Sequence, residues 1–180
     1  ATIRRQRQMC IRDSDDVIRM GLVWGFEASE NEESEVINDV ACKCGIDHLL
    51  SRSILTLSGG EKQRVHFCRC LVQILGRSDS EAAKYLLLDE PTSSQDIANE
   101  LRLLELLKVT AVQRDIGVFL IVHDLNLAAH FGDVFYVMKH GRLVAHGERD
   151  AVMTEDVLSS VYDTPVQTEL TSSRLRIYTF

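Results

Sequence analysis

A chain of 180 residues is long enough to bury a core, and 45% hydrophobic and 26% charged residues are ordinary for a globular protein. The net charge of −7 argues against a general nucleic-acid binder, which would usually be basic. No apolar run approaches the roughly 20 residues that span a bilayer, and the first residues show no secretory signal.

Cysteine usage also limits the chemistry. The sequence holds five cysteines, an odd number, at positions 10, 42, 44, 68 and 70. Neither C-x-C pair has the spacing of a zinc site, and residues two apart on a helix point to different sides. We therefore predict free, reduced thiols rather than a disulfide or a metal site.

The first part of the chain predicts helices on either side of a solvated stretch. "DDVIRMGLVWG" indicates a short helix with Val17, Met20 and Trp24 on one face. The acidic run "ASENEESE" is expected to be solvated. "EVINDVACKCGI" predicts a further helix that ends at Gly45.

The stretch "LTLSGGEKQRV" predicts a helix start with an unusual backbone. Ser58 and Glu61 have the S-x-x-E spacing of a capping box, and apolar residues continue a helix to about Gly76. The box does not account for Gly59 and Gly60, since glycine in a helix costs roughly 0.5–1 kcal/mol against alanine. Without side chains there, an anion could approach the N–H groups of the helix N-terminus. An aspartate at Gly60 is expected to leave the fold intact while it repels such an anion.

Strands and helices alternate in the rest of the chain. "KYLLLDEPTS" and "VFLIVHD" predict two buried strands, with the long amphipathic helix "DIANELRLLELLKVTAVQRDIG" between them and the short helix "LNLAAHFG" after them. "VFYVMKHGRLVAHG" predicts two strands around a His140–Gly141 turn, and helices follow near Val152 and over 157–162. The tail from Thr164 shows no clear pattern. The alternation predicts an α/β fold with a mainly parallel sheet.

Three polar residues follow the two apolar strands. Asp89 and Glu90 end "YLLLDE", and His123 follows "VFLIV". Alone, an Asp-Glu pair there is most often a helix cap or loop start, and a single histidine is more often structural. In a parallel sheet, however, ligands gather outside the carboxyl ends of the strands. A carboxylate for Mg²⁺, a second one that orients or deprotonates water and a histidine on a terminal phosphate would serve phosphoryl transfer to water.

Together these motifs resemble the ATP-binding-cassette (ABC) ATPases, the energy-supplying subunits of transporters. "LSGGE" at 57–61 is similar to the family signature LSGGQ, "YLLLDEP" at 85–91 to the Walker B strand, and "SSQD" at 93–96 to the D-loop SALD. The histidine of "IVHDLN" is similar to the switch histidine. The resemblance runs from about residue 15 to 167. It implies a partial P-loop NTPase fold of the ABC type, with a mainly parallel sheet, flanking helices and a helical subdomain.

The same resemblance implies an organisation along the chain. An uncertain N-terminal segment covers residues 1–14, and the helical subdomain covers 15–56. The signature helix and the C-terminal part of the ATPase core cover 57–167, and a tail covers 168–180.

For the signature, the resemblance implies a role across an interface. Ser58, Gly59, Gly60 and Glu61 would contact the γ-phosphate of an ATP molecule that is bound to a partner subunit. The D-loop residue Asp96 would cross the interface of the same dimer.

For the catalytic residues, the resemblance implies three separate roles. Asp89 would hold Mg²⁺, Glu90 would act as the general base, and His123 would sense the γ-phosphate. The implied cofactors are therefore ATP and Mg²⁺, and the implied activity is ATP hydrolysis.

Further segments resemble a narrower group within the family. "DDVIRMGL", "HDLNLAAHFGD", "GRLVAHG" and "VYDTPVQ" look like subunits that import haem, iron-siderophore or cobalamin, and "LNLAA" with the closing V-Y-x-x-P-V favours haem. This resemblance implies import of haem (hemin) or a related iron chelate. The implied partners are a second ATP-binding subunit in a head-to-tail dimer, a transmembrane permease and a substrate-binding protein, with no nucleic acid. The implied location is peripheral, on the cytoplasmic face of the (inner) cell membrane.

The sequence also departs from the family. The loop G-x-x-x-x-G-K-[ST], which cradles nucleotide phosphates, does not occur in residues 1–180, so these residues alone are expected to hydrolyse no ATP. Ser94 and Gln95 replace the usual small and apolar pair of the D-loop. Two alternatives stay open: a chromosome-maintenance or DNA-repair ABC-type ATPase, and a non-catalytic module that presents the signature to a complete partner.

Overall fold

A computed structural model describes residues 13–22, 29–76, 83–170 and 175–179 of the chain. The chain divides into two compact units, residues 1–121 and residues 122–180. Within the described ranges, no helix has the length and apolar character needed to cross a membrane. The predicted N-terminal segment and the predicted helix face of Trp24 fall largely outside these ranges.

Three helices form the first part of the first unit. Helix α1 spans Ser14–Arg19 and continues into a 3-10 turn, Met20–Leu22. Helix α2 spans Glu30–Lys43, and helix α3 spans Gly59–Leu75. Two short 3-10 turns, at residues 47–49 and 54–56, connect α2 to α3.

Packing against the first two helices holds α3 in place. Both α1 and α2 contact α3. Almost fully buried aliphatic side chains come from all three helices: Ile18, Ile37, Val40, Val65 and Val72. Burying one such side chain contributes about 1.5–3 kcal/mol. The beginning of α3, which carries the glycine pair, is therefore attached to a packed helical cluster.

Helix α2 begins earlier than the sequence predicts. The acidic run is largely exposed, as predicted, but it forms the first turns of the helix rather than a connection. Ser29 and Glu32 form a capping box, in which the Ser29 N–H donates to the Glu32 carboxylate at 2.8 Å. Acidic residues in a first turn interact favourably with the positive end of the helix dipole. The predicted face of Val17 and Met20 is wrong, because Val17 is buried whereas Met20 is 45% exposed.

The structure describes four of the five cysteines. Cys42, Cys44, Cys68 and Cys70 are free thiols. Cys44 and Cys68 are buried, and their thiols lie close enough to hydrogen bond. Cys10 lies outside the described residues.

A β–α–β unit completes the first unit of the chain. Strand β1 spans Lys84–Asp89, helix α4 spans Ile97–Arg114, and strand β2 spans Ile116–Ile121. The two strands pair in parallel, from Lys84 opposite Ile116 to Asp89 opposite Ile121. A parallel pair needs such a crossover connection, usually a helix, so the predicted order of elements and their parallel pairing are confirmed.

The prediction that both strands are buried is wrong. Leu86 and Leu88 on one face of β1 are buried, but Leu87 on the other face is 74% exposed. Phe119 of β2 is 54% exposed. Successive side chains of a strand point to opposite faces. Among the described residues, only one face of this two-stranded sheet is well covered.

The second unit contains a helix, a hairpin and two further helices before its last strands. Helix α5 spans Leu125–Phe131, and strands β3, Phe135–Lys139, and β4, Arg142–Gly147, pair antiparallel. His140 and Gly141 both have positive φ, 50° and 74°, as a tight hairpin turn requires, which confirms the predicted turn. Helices α6, Arg149–Val152, and α7, Glu155–Tyr162, follow.

The tail contains a hairpin that the sequence analysis missed. Strands β5, Val166–Leu170, and β6, Leu175–Thr179, pair antiparallel. Val166 of β5 and Ile177 of β6 belong to the buried core of this unit. The other members of this core are Ala129, Phe135, Val152, Met153 and Leu158. The Asn126 side chain of α5 also bonds to both backbone groups of Ile177, at 3.1 and 2.8 Å. Contacts distant in sequence therefore stabilise a tail whose local pattern is weak.

Candidate nucleotide site

The predicted capping box forms at Ser58–Glu61, which we call the signature turn. The Ser58 N–H donates to the Glu61 carboxylate at 2.8 Å, and the Glu61 N–H donates to the Ser58 hydroxyl oxygen at 3.3 Å. The hydrogen bond from the Ser58 backbone lowers the pKa of Glu61 below its usual value, and the positive charges of Arg52 and Arg64 act in the same direction. Glu61 is therefore ionised at neutral pH and bonded within its own helix start.

The two glycines after Ser58 have different surroundings. A Cβ atom at Gly59 would meet no heavy atom within 4 Å. A Cβ atom at Gly60 would lie 2.7 Å from the carbonyl oxygen of Ser94. A side chain at Gly60 would displace the backbone of the D-loop, which argues against the expectation that an aspartate there leaves the fold intact. Gly60 is required by a close approach within the chain itself.

The two acidic residues lie at the carboxyl end of β1. Asp89 is the last residue of the strand and is exposed, and Glu90 is half-buried. The Glu90 N–H donates to the carbonyl oxygen of Ile121 at 3.1 Å, which continues the pairing with β2 by one bond. Glu90 has a φ of 45°, in the left-handed region that costs a non-glycine residue roughly 1–2 kcal/mol. Such backbone strain is typical of functional positions.

Asp96, at the end of the D-loop, is the N-cap of α4. Its carboxylate accepts hydrogen bonds from the Asn99 N–H at 2.9 Å and from the Asn99 side-chain amide at 2.8 Å. The bond from the Asn99 backbone is the main cause of a lowered pKa at Asp96. This residue is therefore ionised and has a structural role in its own helix, whatever it contacts elsewhere.

One functional candidate escaped the sequence analysis. Gln63, in the first turns of α3, reaches across to the loop over residues 90–96. Its amide nitrogen donates to the Glu90 carbonyl oxygen at 2.8 Å, and its amide oxygen accepts from the Ser94 N–H at 3.3 Å. In the sequence, Gln63 is a polar side chain two residues beyond Glu61, within the segment KQRV that continues the signature. Its partners are distant in sequence, so local pattern could not identify it.

His123 belongs to the second unit of the chain and lies just before α5. Its side chain is exposed. The next residue, Asp124, caps α5 by accepting hydrogen bonds from the N–H groups of Asn126 at 2.8 Å and Leu127 at 3.0 Å. The backbone that carries His123 is thus fixed at its C-terminal side by a helix cap.

The acidic pair fits the ligand chemistry of Mg²⁺. This ion is usually bound through one or two carboxylates together with phosphate oxygens and several waters. Asp89 and Glu90 offer two carboxylates at one strand end. Among the described residues, no group of three or more His, Cys, Asp or Glu side chains could hold a metal ion. Two carboxylates would leave the other positions around the ion for phosphate oxygens and waters.

Comparison with known proteins decides the family. The model of the ABC transporter family matches residues 3–93, just over half of the 180 residues. This match includes the signature turn and the acidic pair. The chain belongs to the ABC transporter family. The family assignment confirms the predicted α/β fold of the ABC type.

Two curated relatives of this ABC family member carry the same description. The hemin import ATP-binding protein HmuV of Photobacterium damselae subsp. damselae is 43% identical over 125 residues, which are 69% of this chain and 46% of the relative. HmuV of Escherichia coli O157:H7 is 37% identical over 163 residues, which are 90% of this chain and 62% of the relative. The chain thus spans about half the length of the first of these relatives and somewhat more of the second.

A solved structure shows the same fold. The dimeric structure of the ATP-binding cassette MJ0796, in a post-hydrolysis state with ADP and Pi, gives a TM-score of 0.67 at 20% identity. The match covers 77% of this chain and 57% of that chain. At this level of identity, the similarity concerns the fold alone.

Proposed function

We propose that the chain forms the signature-bearing and Walker B-bearing part of the ATP-hydrolysing subunit of an ABC importer for hemin or a related iron chelate. One contact within the first unit of the chain carries this proposal. The signature turn at Ser58–Glu61 contacts the loop that follows the acidic pair Asp89 and Glu90. Membership of the ABC family gives this arrangement its chemistry.

The acidic pair would supply the groups for hydrolysis. Bound Mg²⁺ neutralises negative charge on the phosphate oxygens of ATP. Asp89 is the proposed ligand of this ion, since its carboxylate is exposed at the strand end. Glu90 is the proposed general base, which would accept the proton of the attacking water. His123 is the proposed contact of the γ-phosphate.

The signature turn would act on the nucleotide of a second subunit. The first N–H groups of a helix have no intrahelical acceptor and favour an anion. Ser58, Gly59, Gly60 and Glu61 are proposed to present this helix start to the γ-phosphate of a partner's ATP in a head-to-tail dimer. Asp96 is proposed to cross the interface of that dimer. The dimeric MJ0796 cassette with ADP and Pi supports this arrangement by its likeness in fold.

The proposed cargo follows from the curated relatives. Two relatives at 43% and 37% identity are described as hemin import ATP-binding proteins. This description favours an importer over the chromosome-maintenance alternative. The proposed partners are a transmembrane permease and a substrate-binding protein, and the proposed location is the cytoplasmic face of the cell membrane.

The first prediction concerns Glu90→Gln in the complete polypeptide that the gene encodes. Removing a general base typically lowers a rate by about 10²–10⁴-fold. We expect steady-state ATP hydrolysis to fall by this factor, while ATP binding, measured by equilibrium titration, stays within about twofold. The Mg²⁺ ligand Asp89 is still present in this variant.

Glu105→Gln is the matched control, because Glu105 is an exposed glutamate on α4. It is expected to leave hydrolysis unchanged. Loss of ATP binding in Glu90→Gln, or hydrolysis at the wild-type rate, would contradict the role of Glu90. The cargo is tested by complementing a strain that lacks its hemin importer ATPase and supplying hemin, a siderophore or cobalamin. Growth restored by another compound but not by hemin would refute the hemin proposal.

A further inference from the structure

Loop 90–96 and the first turns of α3 are joined by two glutamine side chains. The Gln63 amide nitrogen donates to the Glu90 carbonyl oxygen at 2.8 Å and lies 3.3 Å from the Ser93 hydroxyl oxygen. The Gln63 amide oxygen accepts from the Ser94 N–H at 3.3 Å. Both ends of the Gln63 amide are therefore bonded to residues that lie 27 to 31 positions later in the chain.

Gln95 makes the second link, in which a side chain of the loop donates to the beginning of α3. Its amide nitrogen donates to the Gly60 carbonyl oxygen at 3.0 Å and to the Gln63 amide oxygen at 3.3 Å. Gln95 stands at the position where the D-loop pattern has an apolar residue, which could make neither bond. The close approach of Ser94 to Gly60, where a Cβ atom would be 2.7 Å from the Ser94 carbonyl, shows how tightly the loop rests on the helix start.

The Glu90 carbonyl is the point where this network meets the acidic pair. It accepts from the Ser93 N–H at 3.2 Å as well as from Gln63. The Glu90 N–H is bonded to Ile121 at 3.1 Å. A left-handed residue such as Glu90 persists only when its surroundings over-determine its conformation. The bond from Ser93 lies within the loop, whereas the bond from Gln63 comes from outside it.

We propose that Gln63, with Gln95 as its bridge to Gly60, is a positioning residue that fixes the backbone of Glu90 relative to the signature turn. The consequence for hydrolysis rests on the proposed function of Glu90. The positioning itself does not rest on that function, since it concerns only the conformation of loop 90–96. Gln63 acts on the backbone of Glu90, so it would determine the direction of the carboxylate without touching the nucleotide itself.

The structural test uses hydrogen exchange of the 180-residue chain. Gln63→Leu approximately keeps the size of the side chain and removes every hydrogen bond of the Gln63 amide. Backbone amides of residues 90–96 are expected to exchange about tenfold faster, with helix α2 unchanged. Gln73→Leu, an exposed glutamine on the same helix, is the control and should change nothing in the loop. Gln95→Leu, which leaves the Glu90 bond in place, should give a smaller effect.

The functional test is a double-mutant cycle in the complete polypeptide encoded by the gene. Gln63→Leu is expected to lower kcat by about tenfold while the ATP dissociation constant changes less than twofold. In the Glu90→Gln background, the same change should have little further effect, because it acts through Glu90.

The outcomes separate the two proposals. If Gln63→Leu is equally harmful with and without the Glu90 carboxylate, positioning of Glu90 is wrong even if Glu90 is the general base. If Glu90→Gln has no effect on hydrolysis, the proposed function of Glu90 fails, and hydrogen exchange still decides the positioning. Unchanged exchange over residues 90–96 overturns the inference in either case. Should Gln63→Leu not fold, Gln63→Glu decides by the same exchange measurement, because it removes only the amide nitrogen that donates to the Glu90 carbonyl oxygen.

Discussion

At the scale of single residues, the two neighbouring glycines of the signature turn serve different needs. Gly60 lies under the Ser94 carbonyl, whereas Gly59 opens to solvent. A glycine pair in the sequence gives no sign of this difference. The first glycine is the one whose missing side chain leaves room for a ligand from outside the chain.

We predict that Gly60→Ala destabilises the chain and that Gly59→Ala does not. Overpacking against a fixed backbone costs typically 1–3 kcal/mol, whereas alanine in an open helical position gains up to about 1 kcal/mol over glycine. Chemical unfolding of both variants measures the difference directly. Equal stabilities would mean that the D-loop yields at no cost. Because only Gly59 has open space around a Cβ atom, Gly59→Asp rather than Gly60→Asp is the suitable variant for testing repulsion of a partner's phosphate.

How far the site could be predicted depends on the range of each interaction. The capping box of Ser58 and Glu61 acts over three residues, and the sequence predicted it correctly. Asp89 and Glu90 were also predicted at the end of a strand. The left-handed backbone of Glu90 and the bonds of Gln63 depend on parts of the chain that are far apart in sequence. Local periodicity carries no information on such contacts.

At the scale of elements, the C-terminal hairpin shows how a weak local signal becomes an ordered structure. Strands β5 and β6 each have only one buried apolar side chain, Val166 and Ile177, so their local signal is weak. Burial of Val166 and Ile177 and the two bonds from Asn126 supply what the local pattern lacks. Helix α5, which directly follows His123 and Asp124, is thereby fastened to the last strand.

We predict that Asn126→Ala lowers the free energy of unfolding by about 1–3 kcal/mol, because two partly buried backbone groups of Ile177 lose their partner. Hydrogen exchange should show the loss first in β6. Asn38→Ala is the control, since Asn38 is exposed in the middle of α2 and its replacement should stay within about 0.5 kcal/mol. Equal effects of both variants would show that the Asn126 bonds contribute nothing.

At the scale of the whole molecule, the sequence predicted most elements other than the C-terminal hairpin, but not which surfaces are covered. The apolar runs of β1 and β2 indicated burial on both faces. In the structure, Tyr85, Leu87, Phe119 and Ile121 are exposed. An apolar run predicts that a strand can be buried on both sides, as strands of parallel sheets usually are. Whether a second layer lies against it depends on other elements, which the run itself cannot reveal.

The left-handed backbone of Glu90 also has a consequence for directed evolution of the chain. Selection for heat resistance alone is expected to remove the proposed base. Glycine and, less strongly, asparagine accept a φ of 45° more readily than glutamate, so Glu90→Gly should gain roughly 1 kcal/mol of stability. Ranking every substitution at this position by melting temperature measures the effect, and a ranking with glutamate first would contradict it. A library screened only for thermostability would therefore favour variants that have lost the carboxylate, so each round needs a parallel screen for hydrolysis.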